Sequence, residues 1–180
     1  MSEELPHSLG FPPIADNQAQ ALILGSMPSV TSLDHQQYYG HPRNAFWPIM
    51  TKLLKMDKAL NYSQHCQQLI RHRIAVWDVL QSCQRQGSLD TNIDTDSMVT
   101  NDFNLFLLQH PHIKHIFFNG AKAEQVFNRH ILPTLDEQRT HIARVRLPST
   151  SPAHASLSLE QKYQHWQQAL ASINSSDDGS

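Results

Sequence analysis

Short apolar runs alternate with amphipathic stretches along this chain. Four runs rich in β-branched or aromatic residues predict buried strands, at 20–25, 74–80, 114–119 and 143–147. Elsewhere apolar residues recur every three or four positions and predict helices, at 44–55, 62–71, 101–109, 121–129 and 159–173. Strands that alternate with helices form βαβ units with parallel strands. The pattern therefore predicts an α/β fold, a three-layer α/β/α domain with a central, mainly parallel four-stranded sheet.

The same pattern divides the chain into three segments. Residues 1–19 contain three prolines, which break helices, and are predicted to be an irregular N-terminal lead-in. Residues 20–173 hold every predicted element and are long enough to bury the core of a single domain. Within this domain we expect a long loop at 26–43 and a polar, turn-rich stretch at 84–97. Residues 174–180 are predicted to be a disordered tail.

Charge and metal-binding residues narrow the possible functions. The formal net charge of −2 argues against a protein held to nucleic acid by bulk positive charge, but a local basic patch needs only a few cations. The two cysteines, Cys66 and Cys83, cannot supply the four thiolates of an iron–sulfur cluster. The twelve histidines are dispersed, without carboxylate or cysteine partners at a ligand-like spacing. We therefore predict no metal and no cofactor.

Targeting signals and association helices are not evident in the sequence. No apolar run approaches the roughly 20 residues that a membrane-spanning helix needs. The N-terminus is acidic and lacks the apolar core of a signal peptide. We therefore expect a cytoplasmic protein that does not associate with membranes, and a monomer because no dimerisation helix is apparent.

Unusual residues follow or interrupt each of the four predicted strands. The first strand runs into Gly-Ser-Met-Pro-Ser at 25–29, the second carries Asp78, the third ends at Asn119 and the fourth runs into the Ser/Pro-rich segment 148–154. The carboxyl ends of parallel strands meet at one edge of a sheet, where open α/β folds bind ligands. The four ends should therefore converge on one cleft, although each alone is also compatible with ordinary turn chemistry.

A second segment, at 38–47, is rich in aromatic and hydrogen-bonding residues. It places two tyrosines, a histidine, an arginine and an asparagine directly before an apolar helix start. A purely structural loop rarely needs so many aromatic and hydrogen-bonding side chains, although Tyr38, Tyr39 and Trp47 are also compatible with core or rim packing. No nucleophile elbow and no phosphate-binding loop motif is present, and a single glycine at 25–29 gives little support to dinucleotide binding.

These segments together resemble the two motifs of the uracil-DNA glycosylase superfamily. The first motif is similar to Gly-Ser-Met-Pro-Ser at 25–29 followed by Tyr-Gly-His-Pro-Arg-Asn-Ala-Phe-Trp at 39–47, a pattern related to the mismatch-specific G:T/U branch. The second is similar to Leu-Pro-Ser-Thr-Ser-Pro-Ala-His at 147–154. Within the superfamily the hypoxanthine-DNA (DNA-deoxyinosine) glycosylase group is the most similar, because it also shares Trp-Asp-Val-Leu at 77–80. The resemblance covers roughly residues 20–170.

The resemblance implies a monofunctional DNA glycosylase. Such an enzyme hydrolyses the N-glycosidic bond of a flipped, deaminated base, here foremost hypoxanthine, and leaves an abasic site in DNA. A uracil or mismatch-specific glycosylase is the alternative within the same class. Outside that class we consider an inactive nucleic-acid-binding module of the same fold and a small-molecule hydrolase on a similar sheet.

The sequence departs from the superfamily at its usual catalytic positions. Ser26 and Met27 stand where relatives carry a catalytic asparagine or aspartate, and neither is a strong base. Leu147 stands where the classical enzymes have a histidine that polarises uracil. The resemblance to the hypoxanthine group therefore implies that Asn44 is the catalytic residue, which would orient the attacking water or bind the departing base.

The remaining site residues are also implied by the resemblance. Tyr39 would stack on the flipped base, and Asp78 would accept the N1–H of hypoxanthine, a proton that adenine lacks. Ser26 and Asn119 complete the base-binding set. The DNA backbone would be held by residues of the second motif, Ser149, Thr150, Ser151 and His154, with support from Arg146. Arg43 is either a phosphate contact or part of a structural ion pair.

Overall fold

The computed structural model describes residues 4–174, and within them the chain forms seven strands and six α-helices. The strands are β1 (His7–Leu9), β2 (Ala21–Gly25), β3 (Ile74–Asp78), β4 (Leu80–Gln84), β5 (Val99–Thr100), β6 (His115–Asn119) and β7 (Ala143–Leu147). The helices are α1 (Val30–His35), α2 (Phe46–Leu53), α3 (Tyr62–Arg71), α4 (Phe103–Gln109), α5 (Ala121–Val126) and α6 (Leu159–Asn174).

Four of the strands form the central parallel sheet, in the order β3-β2-β6-β7. Every residue of β2 and β3 is buried, because a parallel sheet covered by helices on both faces leaves no solvent-facing side. The register aligns Gly25 with Asp78 and Asn119 with Leu147. The α/β class and the four-stranded parallel sheet flanked by helices confirm the predicted fold.

Aromatic side chains fill the space between the sheet and the helices. Phe46 at the start of α2 meets Trp166 of α6 edge to face, with ring centroids 6.1 Å apart. Elsewhere Phe103 and Phe118 both contact Phe127. Phe46 and Trp166 are both fully buried, so the start of α2 and the middle of α6 are held in place by the core.

A second, antiparallel sheet was not predicted. It has the order β1-β4-β5 and pairs His7 with Gln84 and Leu9 with Ser82. The predicted irregular lead-in therefore contains a strand, and the predicted strand 74–80 is two strands that separate after Asp78. Pairing at this sheet uses backbone N–H and C=O groups of largely polar residues, so the apolar pattern carries no signal for it.

Several predicted boundaries shift by a few residues. The loop at 26–43 contains α1, and α2 begins at Phe46 rather than at position 44. Helix α3 is capped by Asn61 rather than Ser63, since Asn61 and Gln64 exchange two hydrogen bonds in a capping box. The turn-rich stretch at 84–97 contains two 3-10 turns, Asp90–Asn92 and Thr95–Ser97.

The two ends of the chain are described only in part. Asn174 closes α6, and the rest of the predicted disordered tail, 175–180, lies outside the described residues. Among residues 4–174 no helix combines the length and the apolar character needed to cross a membrane.

Candidate active site

A pocket opens at the carboxyl edge of the parallel sheet, where the sequence places the four unusual strand ends. Eight of the ten predicted site residues line it together: Ser26, Tyr39, Asn44, Asp78, Asn119, Ser149, Thr150 and Ser151. They come from five separate stretches of the chain. The convergence expected from parallel strand topology is therefore present in the structure.

Gly25 lies at the floor of this pocket, where no larger residue would fit. A Cβ atom at this position would lie 2.5 Å from Oδ1 of Asp78 and 3.1 Å from the hydroxyl of Tyr39. The turn at 25–29, called here the first-motif turn, is anchored from behind. The N–H groups of Val79 and Leu80 donate to the carbonyls of Gly25 and Ser26 at 2.8 and 3.1 Å.

Asp78 is the deepest titratable group of the pocket. It is 3% exposed, and its Oδ2 atom has no hydrogen-bond partner among the described residues. Burial, reinforced by the negative charge of Asp90 and opposed by Arg85, raises the pKa of Asp78 to about 7. A buried carboxyl with a free oxygen is costly to the fold unless a ligand satisfies it.

Tyr39 stands over the same floor in an unusual backbone conformation. Its φ of 55° lies in the left-handed region, which a bulky residue adopts only when its surroundings enforce it. The ring stacks on Phe46 with centroids 4.2 Å apart. Its hydroxyl lacks a hydrogen bond of regular geometry among the described residues, although the Asn119 amide lies close, and burial raises the pKa of Tyr39.

Tyr38 and Trp47 belong to the packing around the pocket. The Tyr38 hydroxyl donates to the Pro12 carbonyl at 2.8 Å, and the indole N–H of Trp47 donates to the Tyr38 carbonyl at 2.8 Å. For these two residues the packing alternative is the one that the structure favours. The Tyr38 bond ties the aromatic segment 38–47 to the N-terminal lead-in, and the Trp47 bond lies within the segment.

Asn44 lies at the pocket edge just before α2. Its Oδ1 atom accepts a hydrogen bond from the Phe46 N–H at 2.9 Å, which forms an Asx turn directly before the helix. The amide nitrogen is not used in this bond and can donate to a group in the pocket. The side chain is therefore held in one orientation by its structural role.

Asn119 joins the two halves of the pocket. Its amide nitrogen donates to the Thr150 hydroxyl at 2.9 Å, and its Oδ1 accepts from the Thr150 N–H at 2.9 Å. The Thr150 carbonyl in turn accepts from the Ala45 N–H at 2.9 Å. Thr150 is only 1% exposed, so its hydroxyl is committed to the Asn119 pair and faces the protein interior.

Helix α6 supports the second-motif loop, 147–154, from below. The Trp166 indole N–H donates to the Pro148 carbonyl at 2.9 Å, and the Lys162 ammonium donates to the Ser151 carbonyl at 3.3 Å. Lys162 is buried, which lowers its pKa. The loop is thus fixed at both ends, and Ser149 and Ser151 remain half-buried at the pocket edge.

A further wall comes from the segment 85–90, which the sequence patterns did not connect with function. The Ser26 hydroxyl donates to Oδ1 of Asp90 at 2.6 Å, and the Val30 N–H donates to the Ser88 hydroxyl at 2.9 Å. Arg85, 1% exposed, donates to the Pro28 carbonyl. These bonds fasten the segment to the first-motif turn across more than fifty residues of chain.

Two of the ten predicted site residues lie outside the pocket. His154 lines an adjacent cleft together with Arg146, and Arg146 pairs with Glu124 at 3.7 Å. Arg43 is exposed, and within residues 4–174 it forms no ion pair, so the ion-pair alternative for it is not observed. Both residues are close in sequence to pocket-lining residues, Arg43 next to Asn44 and His154 three residues after Ser151.

The residues missed from the sequence share one property. Each is a charged side chain that the local sequence pattern gives no reason to place inside the protein. Asp90 and Arg85 lie in the polar stretch 84–97, and Lys162 lies in a predicted helix in which a lysine is expected to face solvent. Pairing of β4 with its neighbours brings Asp90 to the pocket wall and Arg85 to the Pro28 carbonyl. Among the described residues no group of three or more His, Cys, Asp or Glu side chains could hold a metal ion.

Comparisons with known proteins agree with this geometry. The family model of the uracil DNA glycosylase superfamily matches residues 12–173. Two hypoxanthine DNA glycosylases, from Methanosarcina barkeri and Methanosarcina acetivorans, are each 37% identical over 115 residues, which is 63% of this chain and 72% of the relative. A solution NMR structure of a protein from Methanosarcina acetivorans, described there as a proposed uracil DNA glycosylase, has a TM-score of 0.77 and 29% identity, over 94% of this chain and 99% of that one.

The fold and the comparisons together identify an α/β protein of the DNA glycosylase class. The chain belongs to the uracil DNA glycosylase superfamily. Its family and relatives support a DNA glycosylase as the class of enzyme and DNA as its substrate.

Proposed function

We propose that this protein is a monofunctional DNA glycosylase that removes hypoxanthine from DNA and leaves an abasic site. The observation that carries the proposal is the Asp78 carboxyl, buried at the pocket floor with one oxygen that no described residue satisfies. In its ionised form it would accept the N1–H of hypoxanthine, whereas adenine presents a lone pair at N1 and is repelled. The names of the two Methanosarcina relatives support the same substrate.

Base flipping precedes the chemistry in this proposal. Extruding a base costs a few kcal/mol and costs least for a mispaired base. Tyr39 repays part of this cost because stacking of a base on an aromatic ring contributes about 1–3 kcal/mol. The ring is held by Phe46 on one side, so it is already oriented before DNA binds.

Bond cleavage is proposed to use water rather than a covalent intermediate. The pocket is lined by carboxyl, amide, hydroxyl and phenol groups, which bind and orient water well. Asn44 is the proposed catalytic residue, and it would orient the water at C1′ or hydrogen-bond the departing base. An amide is a poor base, so its contribution would come from positioning and from stabilising the leaving group.

DNA would be held around the pocket mouth by the second-motif loop and Arg43. Ser149 and Ser151 present hydroxyls at the pocket edge, and His154 extends the surface towards Arg146. Thr150 acts through Asn119 in this arrangement, since its hydroxyl is already bonded there. Ser26 and Asn119 complete the proposed base-binding set.

The proposal is tested with labelled duplexes that each hold a single hypoxanthine, uracil or xanthine. After incubation, alkali converts abasic sites into strand breaks. We expect breaks at hypoxanthine in preference to the other two bases. Breaks only in the uracil duplex would show that the substrate is uracil and not hypoxanthine. DNA binding without any break would favour an inactive binding module.

A further inference from the structure

The bond between Ser26 and Asp90 is the part of the pocket that base binding leaves unexplained. We propose that Asp90, acting through the hydroxyl of Ser26, takes up the proton of the attacking water. This inference rests on the proposed glycosylase function and deepens its mechanism. The Asp90 carboxylate would supply the base that Ser26, at its position in the first motif, does not provide.

The hydrogen-bond direction suits a proton relay. The Ser26 hydroxyl donates to Asp90 at 2.6 Å, the short range typical of a bond to an ionised carboxylate. The lone pairs of the Ser26 oxygen are then available to accept a hydrogen bond from a water molecule. Ser26 is 7% exposed and lines the pocket, so such a water would lie inside it.

The two carboxyl groups of the pocket lie at different depths. Asp78 is 3% exposed on the floor, whereas Asp90 is half-buried on the wall. A flipped nucleotide enters base first, and its sugar stays joined to the DNA backbone at the mouth. The deeper Asp78 therefore faces the base, and the shallower Asp90 lies on the side where C1′ and the water meet.

The charged and titratable groups that act on Asp90 come from several elements. Burial raises the pKa of Asp90 above its ordinary value, and the hydrogen bond from Ser26, the charge of Arg85 and that of Lys122 on α5 oppose this rise. Asp78, Tyr39 and Cys83 also lie within electrostatic reach. A carboxylate that is ionised yet more basic than usual is a suitable proton acceptor.

The chemical step balances with these groups alone. The water oxygen forms a bond to C1′ while the bond between C1′ and the purine nitrogen breaks, and its electron pair leaves with the base. The water proton passes to the Ser26 oxygen as the Ser26 proton passes to Asp90. The purine anion takes a proton from solvent, and Asp90 later returns its proton to solvent. The negative charge of Asp90 also stabilises the developing positive charge on the sugar.

Single-turnover cleavage of a hypoxanthine duplex by Asp90→Asn, Ser26→Ala and the double variant tests the relay. Loss of a general base costs about a hundredfold or more, so both single variants should slow cleavage by at least that factor. The double variant should be no slower than the worse single variant, because the two residues act as one unit. The control Asp96→Asn removes an exposed carboxylate outside the pocket and should cleave at the wild-type rate.

The pH profile separates a relay from a structural role. In acid the wild-type rate should reach a limiting slope of two once the pH lies below the pKa values of both Asp78 and Asp90, because both must be ionised. The Asp90→Asn variant should keep a slope of one, from Asp78 alone. Binding to a duplex with an abasic-site analogue should stay within about twofold of wild type, since Asn still accepts the Ser26 bond.

Three results would overturn the relay. They are a near-wild-type rate for Asp90→Asn, additive losses in the double variant, and weaker DNA binding with an unchanged rate. If Asp90→Asn does not fold, Ser26→Ala decides alone, because it removes the relay hydroxyl and keeps every charge. A wild-type protein that cleaves none of the three deaminated bases contradicts the proposed function itself, a result distinct from failure of the relay.

Discussion

At the scale of single residues, the pocket contains polar groups that lower the stability of the fold and are suited to binding a ligand. Asp78 and Tyr39 are buried polar groups whose bonding capacity is not filled by the described residues. Groups of this kind destabilise a fold and persist where a ligand completes them. Asp78 is the group for which both the cost in stability and the gain in recognition can be measured.

Substitution of Asp78 by Asn should raise stability above neutral pH and remove the preference for hypoxanthine. Because folding raises the pKa of this carboxyl from 3.8 to about 7, the folded state holds its proton more tightly than the unfolded state. Stability from this group is full below about pH 4 and is lost as pH rises to about 7, by about 4 kcal/mol. Thermal melting at about pH 8 should therefore give a higher Tm for Asp78→Asn than for wild type, and at about pH 4 the gap should close.

Base preference is the second readout of the same variant. Cleavage of hypoxanthine should fall more than cleavage of uracil, while affinity for DNA with an abasic-site analogue stays unchanged. An equal loss on every substrate would contradict the base-reading role of Asp78.

Asn44→Ala should abolish turnover and cost the fold only one hydrogen bond. Loss of the bond to the Phe46 N–H is worth about 1 kcal/mol, too little to unfold the domain. Asn44→Asp is the matched control, because aspartate accepts the same Asx-turn bond but lacks the amide N–H groups. Activity retained by Asp would assign the role to the Oδ1 atom, and activity lost in both variants would assign it to the amide nitrogen. Unchanged cleavage by Asn44→Ala would rule Asn44 out as the catalytic residue.

At the scale of elements, the pocket depends on bonds between distant loops. The Asn119–Thr150 pair couples the end of β6 to the second-motif loop, and the Ala45 N–H couples the same loop to the start of α2. Each loop is therefore positioned by another strand or helix rather than by its own sequence.

Replacement of Thr150 by Val should disturb this coupling. Valine preserves the volume but leaves the Asn119 amide with an unmet donor, at a cost of about 1–3 kcal/mol. We expect a lower midpoint of denaturant unfolding and weaker binding of lesion DNA. Thr150→Ser keeps the hydroxyl and should restore most of both. Weak binding in the serine variant as well would point to lost methyl packing instead of a lost hydrogen bond.

At the scale of the whole molecule, the parallel sheet was readable from the sequence and the second sheet was not. Strands β2 and β6 are apolar runs bounded by Gly25 and Gly120, which periodicity detects well. Strand β4 continues from β3 after Val79 as a polar segment that pairs through its backbone with the lead-in.

The same contrast applies to the candidate site. Residues at strand ends, such as Asp78 and Asn119, follow from topology, whereas Asp90 reaches Ser26 only because the second sheet folds its loop back over the first-motif turn. The resemblance to a superfamily located the two motifs, but it did not connect the segment 85–90 with them. Tertiary pairing between polar segments leaves no local signal in the sequence.

Substrate choice is tested most directly when all three deaminated bases compete in the same DNA. DNA treated with nitrous acid contains hypoxanthine, uracil and xanthine together, and mass spectrometry identifies each free base that wild-type protein releases. We expect free hypoxanthine to predominate and Asp78→Asn to lower its share relative to uracil. Release of uracil or xanthine in preference to hypoxanthine, or of no base at all, would contradict this expectation.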